Sequence, residues 1–248
     1  MPRVKSSALD FARRSPSRHT DRMTAAPRTA RERVRAELTR EIKDEARRQL
    51  AEVGAHGLSL RAVARELGMV SSALYRYFPS RDHLLTALIV DAYNAVGEAA
   101  EQADPHTGDP RERWRAVWRA TRDWARANPH EYALIYGSPI PGYQAPQDTV
   151  GPAGRVAFAL VAVLRDAHPH EPAVTAPMSD ELRAQAEQLT KVLEIDAPAE
   201  VVMRAIAAWT QLFGALNFEL FGQYVGSVDP ADAYFEHLIG QMADFVGL

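Results

Sequence analysis

The chain has 248 residues, 46% of them hydrophobic and 25% charged, with a net charge of −3, which suffices for one large or two smaller globular domains. It contains no cysteine, so disulfides and thiolate-bound metals are excluded and a reducing compartment is compatible. No run of roughly 18 apolar residues is free of charge, and the basic N-terminus lacks the apolar core of a signal peptide. The expected location is therefore cytoplasmic.

Charge is divided unevenly. Residues 1–90 carry a net +8 and the remainder −11, which suggests an N-terminal part that meets a polyanion. Part of the excess comes from Arg3, Arg13, Arg14, Arg18 and Arg22 in a stretch of Ser, Pro and Arg without hydrophobic period. Residues 1–28 are accordingly predicted to be a disordered basic tail.

From Arg31 the pattern becomes helical. Val34, Leu38, Ile42, Ala46, Leu50 and Val53 recur at steps of three and four, one face of a helix that Gly54 and Gly57 end. Ser59 is placed to cap a short helix that turns Leu60, Val63 and Leu67 inward and stops at Gly68. A second short helix follows from Ser71 or Ser72 to Tyr77. Pro79 breaks it, and Ser80 caps a long helix carrying Leu84, Leu85, Leu88, Ile89, Ala92 and Tyr93.

The remainder is also predicted to be helical. Asp109-Pro110-Arg111-Glu112 supplies an N-cap, a Pro at N1 and a Glu at N3. The helix it opens aligns Trp114, Val117, Trp118, Thr121 and Trp124. Asn128-Pro129 starts another helix, which ends near Tyr136-Gly137. Two Pro-rich loops, GSPIPGYQAP and HPHEPAVTAP, flank a helix over 154–167, Ser179 caps the next, and the last two helices are expected over 198–225 and 230–246. No alternating strand pattern and no repeat is present, so the fold class is all-α.

Leu67–Leu85, LGMVSSALYRYFPSRDHLL, is too polar, aromatic and basic for a core. A helix, a glycine turn and a second short helix make a helix-turn-helix, whose second helix enters the major groove and shows polar side chains to base edges. Leu74 and Phe78 supply its inward side. Ser71, Ser72, Ala73 and Arg76 can face outward, Tyr75 and Tyr77 offer hydroxyls to phosphates, and Arg81 adds a cation at a helix N-terminus that already favours an anion.

The segment LSLRAVARELGMVSSALYRYFPSRDHLLTAL resembles the DNA-binding domain of the TetR family of bacterial transcriptional regulators, a likeness that extends from about Arg31 to Ala100. Its most specific marker is Leu74-Tyr75-x-Tyr77-Phe78 followed by Ser80-Arg81-x-x-Leu84-Leu85. The resemblance implies a three-helix DNA-binding domain over 29–80 and a larger helical ligand-binding and dimerisation domain over 81–248. It implies base contacts by Ser71, Ser72, Ala73 and Arg76, a groove contact by Arg61, and phosphate contacts by Ser59, Tyr75, Tyr77 and Arg81. A looser likeness to a subgroup with a Trp-x-x-x-His-Gly signature rests on Trp209, Phe213 and Gly214, where Phe213 takes the place of the His. In the family the last two long helices pair across a two-fold axis, with Leu212, Leu216 and Phe235 expected here as the apolar knobs.

Each indole of the Trp114, Trp118 and Trp124 stripe taken singly reads as core packing. Together with Tyr132, Tyr136 and Phe158, and with Trp209 and Phe213, the aromatics can line an apolar ligand cavity. His168, His170 and Glu171, like Asp104, His106 and Asp109, read as solvated loops, so neither metal nor cofactor is expected. The partners implied are a double-stranded DNA operator, a second copy of the chain and an apolar or aromatic small molecule. No nucleophile elbow, Walker A loop or dinucleotide fingerprint supports an enzyme. A helical ligand carrier is the alternative, and it leaves Tyr75, Tyr77 and Arg81 unexplained.

Overall fold

The computed structural model describes residues 29–169 and 177–248, and among these every regular element is helical. The tail, with Arg3 to Arg22, and the loop residues His170 and Glu171 lie outside the described residues. Contacts divide the described residues into two compact units, one containing 29–93 together with 128–149, the other containing 94–127, 150–169 and 177–248.

In the first unit, helix α1 (Ala30–Gly57) opens with Thr29, whose side chain accepts from the Glu32 amide while the Glu32 carboxylate accepts from the Thr29 amide. Ile42, Ala46 and Leu50 bury its central face, but Val34 and Val53 are exposed at its two ends. Gly54, at φ 67°, kinks the helix just after Val53. Helices α2 (Leu60–Glu66) and α3 (Ser71–Leu74) follow, then α4 (Arg81–Ala103), whose first half belongs to this unit. Leu60, Val63, Leu74, Phe78, Leu84, Leu85 and Leu88 join the α1 residues in one core. After α5 (Pro110–Ala127), helix α6 (Pro129–Tyr136) returns to this unit and packs on α1. Arg47 fastens it, reaching Glu131 at 2.9 Å, Asp91 at 2.7 Å and Asp44 at 2.6 Å. The Tyr93 hydroxyl donates to the Ile135 carbonyl at 3.2 Å.

The second unit takes the end of α4, α5, the short α7 (Val150–Ala153), α8 (Arg155–Ala167), α9 (Asp180–Leu193), α10 (Ala199–Leu220) and α11 (Ala231–Val246). Helix α5 packs on α8, α10 and α11, while α10 also packs on α9 and α11. Gly97 lets α4 and α8 approach closely, because a Cβ there would stand 2.4 Å from the Cβ of Arg155. Arg155 in turn clasps Glu101 at 2.5 Å. By length and composition α10 could cross a membrane; it packs instead against three helices and carries Glu219 in an ion pair with Arg122 at 2.8 Å.

The structure differs from the sequence expectation at the end of α10 and at Asp104. The penultimate helix ends at Leu220, not 225, because the backbone turns at Gly222 (φ 78°) and the Gln223 amide donates back to the Phe218 carbonyl at 2.9 Å. Asp104, expected in a solvated loop, is 4% exposed. It accepts from Arg113 at 2.7 and 2.9 Å and from the His106 amide at 2.9 Å.

Candidate nucleic-acid interface

Local geometry explains how so polar a segment is held. Ser59 caps α2, its hydroxyl accepting from the Ala62 amide at 3.4 Å. Gly68, at φ 64°, ends that helix, and the Met69 amide returns to the Ala64 carbonyl at 2.8 Å. One turn of helix follows in α3, and tighter turns close it, with Tyr77 donating to the Leu74 carbonyl at 2.9 Å. Leu74 is wholly buried and Phe78 nearly so, and these two anchor the segment.

Its other side is open. Ser71, Ser72, Tyr75 and Arg76 are exposed, Ala73 is half-buried, and Arg61 on α2 is exposed. Neither Arg61 nor Arg76 forms an ion pair among the described residues. Val70, which the sequence reading passed over, stands 69% exposed just before α3. Its signal was an apolar residue stranded between a glycine stop and two serines.

Two expected phosphate contacts are more committed than the sequence suggested. Tyr77 is half-buried against the core, and the Arg35 guanidinium lies over its ring at 5.6 Å. Arg81 donates from Nε to the Leu58 carbonyl at 3.1 Å and from Nη2 to the Ala55 carbonyl at 2.6 Å. It thus caps the end of α1 and ties the start of α4 to it, leaving Nη1 3.8 Å from Asp82. Ser80 caps α4 by accepting from the His83 amide at 3.3 Å.

This constellation has counterparts in known proteins. The model of the tetR family of bacterial regulatory proteins matches residues 42–88, and that of the tetracyclin repressor-like C-terminal domain matches residues 114–242. The HTH-type transcriptional regulator Rv1816 of Mycobacterium tuberculosis (strain ATCC 25618 / H37Rv) is 39% identical over 233 residues, 88% of this chain and 95% of that protein. The chain belongs to the TetR family. As a TetR-family regulator it stands among transcription factors and not among enzymes. Regulator Mb1846 of Mycobacterium bovis (strain ATCC BAA-935 / AF2122/97) matches to the same extent. The crystal structure of the regulatory protein SCO4313 superposes with a TM-score of 0.73 at 34% identity, covering 87% of this chain and all of that one. PfmR from Thermus thermophilus shares the fold alone, with a TM-score of 0.51 at 19% identity over 80% of this chain and 97% of its own.

The aromatics expected to line a TetR-family ligand cavity fall into both units. Trp114, Trp118 and Phe213 are buried in the second unit, with Trp124, Phe158 and Trp209 half-buried there. Tyr132 and Tyr136 lie in the first unit, their rings 5.1 Å apart. Burial pushes both phenols well above the ordinary tyrosine value, so they stay protonated. The expected dimer knobs require correction. Leu212, Leu216 and Phe235 are at most 2% exposed and pack inside their own protomer. The apolar side chains that α10 and its end leave exposed are Ile206, Phe218 and Phe221. Spacing alone cannot tell which stripe of an apolar helix faces the protomer's interior.

Proposed function

We propose that this TetR-family transcriptional regulator binds a palindromic operator as a homodimer and is released from it by an apolar small molecule. The observation that carries this reading is the exposed polar side of α3 and of the turn after it, where Ser71, Ser72 and Arg76 stand out from the Leu74 and Phe78 anchors. These residues, with Ala73 and Arg61, read base edges in the major groove. Ser59, Tyr75, Tyr77 and the remaining nitrogen of Arg81 meet phosphates. The DNA-binding domain covers 29–80 and the ligand-binding and dimerisation domain 81–248, with the basic tail preceding them. Two half-sites lie about one helical turn apart, roughly 34–36 Å.

Effector control requires that the small molecule bind the two states with different affinity. Aromatics of the carboxy-terminal domain receive it, and the Trp209-x-x-x-Phe213-Gly214 segment is a variant of the Trp-x-x-x-His-Gly signature. The dimer face includes Ile206, Phe218 and Phe221. The regulator acts in the cytoplasm, where its DNA lies.

Selection of sites from random duplex DNA by the purified protein tests the reading. An enriched palindrome bound by two copies is expected. Weak binding to every duplex, with steep salt dependence and no enriched sequence, would contradict it.

A further inference from the structure

Among helices α1 to α4, three begin with a hydroxyl that takes up a main-chain amide. Thr29 accepts from Glu32, Ser59 from Ala62 and Ser80 from His83. The exception is α3, whose cap position is held by Val70 in extended backbone (φ −69°, ψ 137°), with no side-chain bond to the helix. Valine is among the poorest residues at a cap, because it leaves the first amides to water. Nor does Val70 serve the core: Met69 beside it packs there, whereas Val70 is 69% exposed. A lone exposed valine is ordinary on a protein surface. One that displaces a cap, gains no burial and stands next to two exposed serines breaks a local rule without a return in stability, and such positions mark function.

The surroundings limit what the side chain can meet. Ser71, Ser72 and Arg76 are exposed beside it, and no acidic residue occurs between Glu66 and Asp82, so the approach of a polyanion is unopposed. The Val70 carbonyl accepts from the Ala73 amide at 2.9 Å, which brings a second small apolar residue, half-buried, to the same turn. A valine side chain has no donor or acceptor. Pressed against the nitrogen and oxygen edges of adenine, guanine or cytosine it would strip their water and offer nothing in exchange. The apolar feature that the major groove displays is the 5-methyl group of thymine.

We infer that Val70 is a specificity determinant that packs against the 5-methyl group of a thymine in each operator half-site. This inference rests on the operator reading above and adds to it a contact made by burial, beside the polar contacts of Ser71, Ser72 and Arg76. The cap that α3 lacks is thereby exchanged for selectivity between thymine and the other bases. The contact carries no charge, so it contributes to discrimination and not to the salt dependence of binding.

The experiment uses the full-length protein and an operator that it selects from random duplex DNA. Thymines of one half-site are replaced singly by deoxyuridine, which keeps the base pair and removes only the methyl group. At one thymine the wild type is expected to bind the deoxyuridine operator about fourfold more weakly, the worth of one buried methyl group. Val70→Ser and Val70→Ala should bind the two operators equally, with the wild-type salt slope. Val70→Ser should also unfold at a higher temperature, since serine supplies the missing cap. A selected operator in which every methyl group can be removed without effect overturns the inference and leaves the operator reading standing. So does discrimination that both variants retain. Lower unfolding temperatures in both variants, with binding weakened alike at every position, would make Val70 a part of the fold and overturn it as well. If no operator is enriched, the operator reading falls and the inference falls with it.

Discussion

Arg76 and Arg113 carry the same group into opposite settings. Arg76 follows the one-turn helix α3, exposed and without an ion pair among the described residues. Arg113 lies on the eighteen-residue α5, 3% exposed between Asp104 and Asp166. The contrast extends to their neighbours. On α5, Arg111 meets Asp244, Arg119 meets Glu236, and Arg122 meets Glu219 and Asp232, so each arginine staples the helix to another segment of its unit. In the helix-turn-helix, Arg61 also stands exposed. A guanidinium compensated by carboxylates builds structure, and one left uncompensated on an open face is available to a polyanion. Net charge by region points to this division but cannot say which arginine falls on which side.

Breaking one staple should have the largest effect. Arg113→Ala leaves Asp104 buried without its partner and is expected to cost about 3–5 kcal/mol of unfolding free energy, read from urea denaturation. Burial pushes the Asp104 carboxyl up, but the bonds from Arg113 and the His106 amide outweigh it and hold the group below its ordinary value. Its contribution to stability is therefore fully present above about pH 4, the unfolded value, and is lost as pH falls through the lower folded value. Asp104→Asn should lower stability at neutral pH and flatten this acid limb.

On the open side the expected pattern is inverted. Arg76→Ala should change unfolding free energy by no more than about 0.5 kcal/mol while weakening a cognate site by about 1–3 kcal/mol, roughly fivefold to 150-fold. A melting temperature that falls in step with affinity would erase the distinction between the two settings.

Arg81 stands between the two cases and sharpens the comparison. Arg81→Ala removes two bonds to main-chain carbonyls and should cost about 1–2 kcal/mol of stability. It should also weaken binding to all sequences and lower the salt slope by about one. Arg81→Lys keeps the charge but cannot span both carbonyls, so it should restore the salt slope without restoring stability. The smallest effect is expected for Ser59→Ala, about 1 kcal/mol from the lost cap of α2, read by thermal unfolding.

Much of the first unit was legible in the sequence because its signals are local. Gly68 stops a helix, Ser59 and Ser80 cap helices, and Leu74 with Phe78 marks the buried side of a segment otherwise polar; the structure has each of these. What escaped depends on chain separation. Arg81 reaches back to Ala55 and Leu58, and Asp104 meets Arg113, which also holds Asp166, pairings that no spacing rule announces. The dimer knobs failed for a related reason. Helix α10 has apolar residues on more than one face, and the Leu212–Leu216 stripe proved to be the one its own protomer buries.

On this reading the exposed side of α3 and the turn after it meets base pairs, while the paired arginines hold the scaffold. The most direct test compares wild type with Arg76→Ala on every single-base variant of a selected operator. The variant is expected to lose discrimination at one or two base pairs in each half-site and to keep the wild-type pattern elsewhere. A uniform loss across all positions would contradict it, because Arg76 would then be one more positive charge near the backbone.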